Sequence, residues 1–256
     1  MLNPRPIGYV VGLLVMSLGA AMAVPALVDA VNGSDNWRAF ALAGGISVFF
    51  GGAFTVACSE HRAPGLSIQQ TFILTTLAWL ALPVFGALPF FFGEPNVNYT
   101  DAFFEAMSGL TTTGSTVFTG LDQLPKGVLL WRGLLQWFGG VGIVVFAMAF
   151  LPMLKVGGMQ LFKSEGFDTF GKILPRAAEI AMSIGWIYVG LTAMAAAAYA
   201  LAGMDTMDAV VHAMTTISTG GFANHDASFA AYGAAAEYIA SFFMILAALP
   251  FVRYVQ

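Results

Sequence analysis

Charged side chains are what this sequence has least of. Lys, Arg, Asp and Glu make up 9% of its 256 residues and apolar types 58%, whereas a soluble domain carries about 25% charged residues. A water-soluble surface is excluded on that ground, and the chain is read as a membrane protein. Cysteine is nearly absent too: Cys58 stands alone, so no disulfide can form within the chain. The three histidines, His61, His212 and His225, fall in no metal-ligand spacing, and no serine sits in a Gly-x-Ser-x-Gly turn. An intramembrane hydrolase therefore has no residues to work with, and the chain is not expected to be an enzyme.

In place of charge there are six long apolar runs: Gly8 to Val31, Phe40 to Cys58, Ile68 to Phe92, Val128 to Leu154, Ile180 to Ala202 and Ala231 to Val252. A helix needs about 20 residues to cross a hydrocarbon core of ~30 Å, so the expected fold class is an all-α membrane protein. The first run follows Arg5 and contains Ala21-Met-Ala23, which resembles a leader cleavage site. It continues to Val31 and five more runs follow, so an uncleaved first helix is expected. With the N-terminus inside, Arg5, Arg62, Lys155, Lys163, Lys172, Arg176 and Arg253 lie in the cytoplasm, and Arg38, Lys126 and Arg132 lie outside. That asymmetry holds if two further segments dip into the membrane from outside and return.

Those two segments, Asp101 to Thr116 and Asp208 to Phe222, are written alike. They align without gaps at an offset of 107, pairing Asp101 with Asp208, Ala106 with Ala213, Met107 with Met214 and Gly114 with Gly221. Each is flanked by apolar runs, giving a repeat of span, re-entrant segment, span. The expected organisation is a helix pair over 1–62, a first repeat over 63–172, and a second over 173–256 that is cut short in its last span. Asn98 with Asp101, and Asp205 with Asp208, supply a cap and a third-position acid for a helix start. Twelve residues from Tyr99 to Leu110, at ~1.5 Å each, reach about halfway across the bilayer. A helix ending there is expected to leave its last carbonyls unpaired and to place about half a negative charge at mid-membrane, which attracts a cation.

The chain continues as Thr111-Thr-Thr-Gly-Ser115 and Ser218-Thr-Gly-Gly-Phe222, irregular backbone that a membrane tolerates only within protein or along a water path. Glycine lets successive carbonyls turn inward, hydroxyls add oxygens, and such loops can replace an ion's hydration shell. One copy would read as an ordinary external loop; two in matched settings read as an ion filter. The candidate ion-binding residues are Thr111, Thr112, Thr113 and Gly114, with Ser218, Thr219, Gly220 and Gly221. A secondary carrier with broken helices is the rival reading, but carrier repeats are usually inverted whereas these run parallel.

The order and spacing of Thr111-Thr-Thr-Gly-Ser-Thr116, Leu135-Gln-Trp-Phe-Gly-Gly-Val-Gly-Ile143, Gly157-Gly-Met-Gln160 and Ser218-Thr-Gly-Gly-Phe-Ala-Asn-His-Asp-Ala-Ser228 resemble the TrkH and KtrB family of bacterial potassium uptake proteins, related to fungal Trk and plant HKT transporters. The similarity runs through the chain and is best to TrkH. It implies four span, pore helix, span units around one pore, preceded by an extra helix pair. Here Gly8 to Cys58 would be that pair and the two repeats the first two units. Half of the oxygen ring is then missing, with the intramembrane loop of the third unit and the basic residue of the fourth. The resemblance further implies potassium uptake across the bacterial cytoplasmic membrane, with K+ held at Thr112, Thr113, Thr219 and Gly220 and no cofactor. Its implied partners are the lipid bilayer, a second copy in a homodimer of the full-length protein, and a cytosolic nucleotide-binding regulatory subunit (TrkA-like) near Lys155 to Arg176, with no nucleic acid. Gly114 and Gly221 imply potassium over sodium, a sodium-permeable or mixed pore being the alternative. By the offset, Leu154 corresponds to position 261, past Gln256, so the chain is expected to be a fragment, inactive without a second half. A half-protein that pairs with itself is the other reading.

Glu105 and His212 occupy matching positions and are expected to hydrogen-bond the backbone behind the filter. Arg132 and Gln136 lie near the outer end of the first repeat's last span and Glu237 in the second's; the two charges are expected to make a structural ion pair or to reach interfacial water, a role in the ion pathway being the alternative. Gly139, Gly140 and Gly142 are expected to allow close helix approach.

Overall fold

The computed structural model describes residues 4–59, 66–154 and 173–249, which form helices and connecting loops with no strand among them. The Gly157-Gly-Met-Gln160 motif, most of the basic stretch Lys155 to Arg176, and the chain beyond Leu249 lie outside the described residues.

The chain opens with α1 (Arg5–Ala21) and α2 (Ala23–Val31), interrupted at Met22. They return against α3 (Trp37–Ala57). Lipid gives apolar helices no reason to associate, so contact here comes from close backbone approach. A Cβ on Gly12 would lie 2.8 Å from the Gly51 carbonyl oxygen, and one on Gly19 would lie 2.9 Å from that of Gly44.

Next comes α4 (Ile68–Gly86), opened by a reciprocal cap in which Gln70 N donates to Ser67 Oγ (3.2 Å) and Ser67 N donates to Gln70 Oε1 (2.8 Å). A short α5 (Leu88–Phe92) extends it. The half-length α6 (Tyr99–Leu110) and the long α7 (Lys126–Leu154) complete the first unit. The same order returns as α8 (Ile173–Leu201), the half-length α9 (Thr206–Ile217) and α10 (Ala234–Ala248).

Among the described residues, four stretches are long and apolar enough to cross a membrane: Arg5–Val31, Trp37–Ala57, Gln69–Phe92 and Met182–Leu201. At 29 residues α7 also has the length. The sixth apolar run behaves differently, since α10 has 15 residues, or ~22 Å at ~1.5 Å each. Leu249 leaves the helix with φ −71° and ψ 145°. The next residue in sequence is Pro250, and proline pushes the residue before it out of the α region.

Two apolar clusters result. One joins α1–α3 to α5–α7 around Phe40, Phe90 and the fully buried Trp131, whose Nε1 donates to the Gly86 carbonyl at 2.9 Å. The other joins α8–α10 around Tyr188, Tyr199 and Phe243. Trp137 of α7 links them, its Nε1 donating to Thr192 Oγ1 at 3.1 Å.

Asp29, near the end of α2, is fully buried. It accepts from Gly127 N at 2.6 Å, in the first turn of α7, and from Asn36 Nδ2 at 2.9 Å. Asn36 Oδ1 in turn accepts from Glu94 N at 2.9 Å. A carboxylate at a helix start meets unpaired N–H groups and the positive end of the helix dipole. Asp29→Ala is expected to lower stability by about 1–3 kcal/mol, because it leaves two buried donors without a partner. Thermal unfolding in detergent checks this. Asp35→Ala serves as the neutral control, since its ion pair with Arg38 is largely exposed.

Candidate functional site

The site is built from the ends of two half-length helices. α6 starts where Asn98 Oδ1 accepts from Asp101 N at 2.9 Å, and α9 where Asp205 Oδ2 accepts from Met207 N at 3.1 Å. Their C-terminal ends correct the expected picture of unpaired carbonyls. Thr113 N donates to Ser108 O (2.9 Å) and Thr112 N to Gly109 O (2.9 Å); Gly220 N donates to Thr215 O (2.9 Å) and Thr219 N to Thr216 O (3.0 Å). Each helix thus closes in a Schellman motif, and the amides of the loop neutralise carbonyls of the helix that precedes it.

Such a motif needs a left-handed residue just past the helix, usually glycine. Here it is Thr112 (φ +56°) and Thr219 (φ +55°), each followed two residues later by a left-handed glycine, Gly114 (φ +77°) and Gly221 (φ +80°). A β-branched residue at positive φ is rare and costs energy, and it recurs at matched positions. Some hydroxyls are already engaged: Thr111 Oγ1 donates to Met107 O (2.8 Å), Ser218 Oγ to Thr215 O (3.1 Å) and Thr219 Oγ1 to Ser218 O (2.7 Å). The two loops meet directly, for a Cβ added to Gly114 would overlap the Gly220 carbonyl oxygen.

Behind the loops the repeat continues in side chains. Glu105, fully buried, accepts from Val117 N (3.1 Å) and from Thr116 Oγ1 (2.8 Å). His212, also fully buried, faces Asn224 N through Nε2 at 3.4 Å and the Asp208 carbonyl through Nδ1 at 2.8 Å. An amide N–H donates and a carbonyl accepts, so this ring is the neutral Nδ1–H tautomer.

Between the two halves runs α7. Arg132 does not reach interfacial water: it is 1% exposed. Its Nε donates to Glu105 Oε1 at 2.7 Å and its Nη1 to the Ala223 carbonyl at 2.7 Å, while the guanidinium lies 4.2 Å from the Phe222 ring centroid. Gln136 Oε1 accepts from Phe222 N at 3.1 Å. Glu237 is exposed and takes no part in this cluster. A Cβ on Gly139 would overlap the Leu110 carbonyl, and one on Gly140 would lie 2.9 Å from Ser218 Cβ, so both permit close approach to the ends of the half-length helices. Gly142 faces open space instead.

A family model described as a cation transport protein, TrkH, matches residues 37–255. The chain belongs to the TrkH family. Among its relatives, the Trk system potassium uptake protein TrkI of Halomonas elongata is 44% identical over 199 residues, 77% of this chain and 40% of the relative. TrkH of Escherichia coli K12, named likewise, is 43% identical over 202 residues, 78% of this chain and 42% of the relative. The crystal structure of the potassium transporter TrkH from Vibrio parahaemolyticus superposes with a TM-score of 0.85 at 38% identity, over 96% of this chain and 50% of that one. The chain spans about 40% of the length of the curated relatives it matches. The family match leaves out α1 and α2. With its spanning-length helices, this TrkH-family chain is a multi-pass membrane protein.

In this TrkH-family chain the loops that follow the two half-length helices are latched together. Asp226 accepts from Gly120 N (2.9 Å) and Leu121 N (3.1 Å). His225 bonds the Asp122 carboxylate through Nδ1 and Asp208 Oδ2 through Nε2, the latter at 3.2 Å. Asn224 Nδ2 donates to Asp208 Oδ1 at 2.9 Å. The one signal in the sequence is the run Asn224-His-Asp226 inside the second motif.

Partial burial pulls the His225 pKa down, but its bonds to Asp122 and Asp208 and their negative charges outweigh this and hold it above the ordinary histidine value. Asp122 titrates below its ordinary range, chiefly through its bond to His225. A raised histidine stabilises fully below its unfolded value of ~6.5 and loses that contribution as pH rises through the folded value; a lowered carboxylate contributes above ~3.9 and is lost as pH falls through its folded value. The latch is therefore strongest between about pH 4 and 6.5. His225→Gln is expected to lower the melting temperature in detergent at pH 6, and the gap to wild type should close as pH rises. A gap constant from pH 6 to 9 would show that the charge has no part in it.

Proposed function

We propose that the chain supplies two of the oxygen-bearing loops of a potassium-selective pore and that the protein it serves takes up potassium across the bacterial cytoplasmic membrane. The observation that carries this reading is the pair of loops that meet at Gly114 and Gly220, each a left-handed Thr, one residue, then a left-handed Gly. Alternating backbone of this kind turns neighbouring carbonyls to a common side, where they replace the hydration shell of an ion. K+ sits at Thr112, Thr113, Thr219 and Gly220, with Thr111, Gly114, Ser218 and Gly221 completing the loops, and Glu105 and His212 holding them from behind. Potassium is cargo, no cofactor takes part, and the protein is not an enzyme. Further units of the same kind close the oxygen ring. A second copy and a cytosolic nucleotide-binding subunit are the partners this reading implies, with Gly114 and Gly221 favouring potassium over sodium.

The test is growth of a potassium-uptake-deficient bacterium at limiting potassium, carrying the chain alone or with the C-terminal half of a TrkH relative. Rescue by wild type and its loss in Gly114→Asp and Gly221→Asp variants is the expected result. Equal rescue by either variant would remove the filter assignment, and reversal potentials in bi-ionic solutions decide between potassium and sodium.

A further inference from the structure

The geometry points to Gln136 as a further residue that sets ion specificity, by holding the two filter loops at a fixed separation. Gln136 is fully buried on α7, one turn after Arg132. Its Oε1 accepts the Phe222 amide, and with Arg132 on the Ala223 carbonyl, two consecutive residues of the second loop are held by the long helix of the first unit. The carboxamide also fills the space over Gly220, where an added Cβ would lie 2.5 Å from Oε1 and 2.7 Å from Nε2. Its Nε2 edge faces the first loop, 3.7 Å from the place a Gly114 Cβ would occupy, and Nε2 has no hydrogen-bond partner among the described residues. One side chain is therefore bonded to one loop and wedged beside the other, where the loops touch.

The arrangement is one-sided. The positions 107 residues after Arg132 and Gln136 are Ile239 and Phe243, which cannot offer the same bonds from α10. The discrimination of a carbonyl cage rests on the size of the cage or on the number and stiffness of its oxygens. A spacer that fixes how near the Gly114 and Gly220 segments stand acts on either. Without it the loops are free to close around a smaller ion, so sodium gains relative to potassium.

The inference rests on the pore reading above, and the experiment separates the two. Bi-ionic flux is measured in liposomes that hold the chain, alone or with the C-terminal half of a TrkH relative. Gln136→Met keeps the volume and removes both polar ends; Gln136→Asn draws the amide back from Phe222; Gln136→Glu keeps an acceptor for the Phe222 amide. The sodium-to-potassium permeability ratio is expected to rise roughly tenfold in the Met and Asn variants, the size of one lost hydrogen bond, and to return toward wild type in the Glu variant. Variants that lower flux but leave the ratio unchanged would show that Gln136 only fills space. A Glu ratio as altered as the Met ratio would overturn the role of the Phe222 bond. Wild-type liposomes without cation flux in either form would remove the pore reading and this inference with it.

Discussion

Arg132→Leu is expected to destabilise the chain by about 3–5 kcal/mol, the usual cost of removing one partner of a buried ion pair. The guanidinium is the one cation bonded to Glu105 among the described residues, and both side chains are buried, at 1% and 0% exposure. With Arg132 gone, the Glu105 carboxylate keeps Thr116 Oγ1 and Val117 N, two neutral donors that do not balance a buried charge. The Ala223 carbonyl and the Phe222 ring lose their contact at the same time, so the loop of the second unit loosens together with the helix of the first. The double variant Arg132→Leu, Glu105→Gln is expected to recover part of the loss, because no uncompensated charge then remains. Thermal unfolding of the four proteins of this cycle in detergent gives the coupling directly. Additive single effects would show that the two residues do not act as a pair.

Gly114→Ala is expected to abolish potassium-dependent rescue outright. Its φ of +77° costs an L-residue about 1–2 kcal/mol, and its Cβ would overlap the Gly220 carbonyl oxygen. The neighbour is backbone already held by the bond from Gly220 N to Thr215 O, so it cannot yield without opening the Schellman motif. Gly142→Ala, whose Cβ meets nothing within 4 Å, is expected to leave rescue intact. Growth at limiting potassium and rubidium uptake read both variants, and a Gly114→Ala protein that transports like wild type would remove Gly114 from the filter.

Much of the site is legible in the amino-acid sequence, for a reason that shows in the bonds themselves. The cap from Asn98 to Asp101 joins residues three apart, and the closing bonds from Thr113 to Ser108 and from Gly220 to Thr215 join residues five apart. Interactions of that range depend on neighbouring residue types, so a repeat in the sequence becomes a repeat in geometry. The helix ends differ from expectation in the fate of their carbonyls: a helix that ended into space would leave them open, whereas the left-handed Thr112 and Thr219 fold the chain back onto it.

The sequence by itself determined that this is a membrane protein, that an apolar run, a half-length helix and a second apolar run recur in the same order, and which residues form the two loops. Composition, run length and an ungapped offset are properties of the chain order, and no packing can change them. Tertiary structure alone decided which polar groups far apart in the chain meet. Arg132 finds Glu105 across 27 residues, Gln136 finds Phe222 across 86, Asp29 finds Gly127 across 98, and Asp226 finds Gly120 across 106. A side chain's type says that it needs a partner once buried, but only the packing of α2 and α7 buries Asp29, and only the passage of α7 between the two half-helices carries Arg132 and Gln136 from one unit to the loop that follows the half-helix of the other.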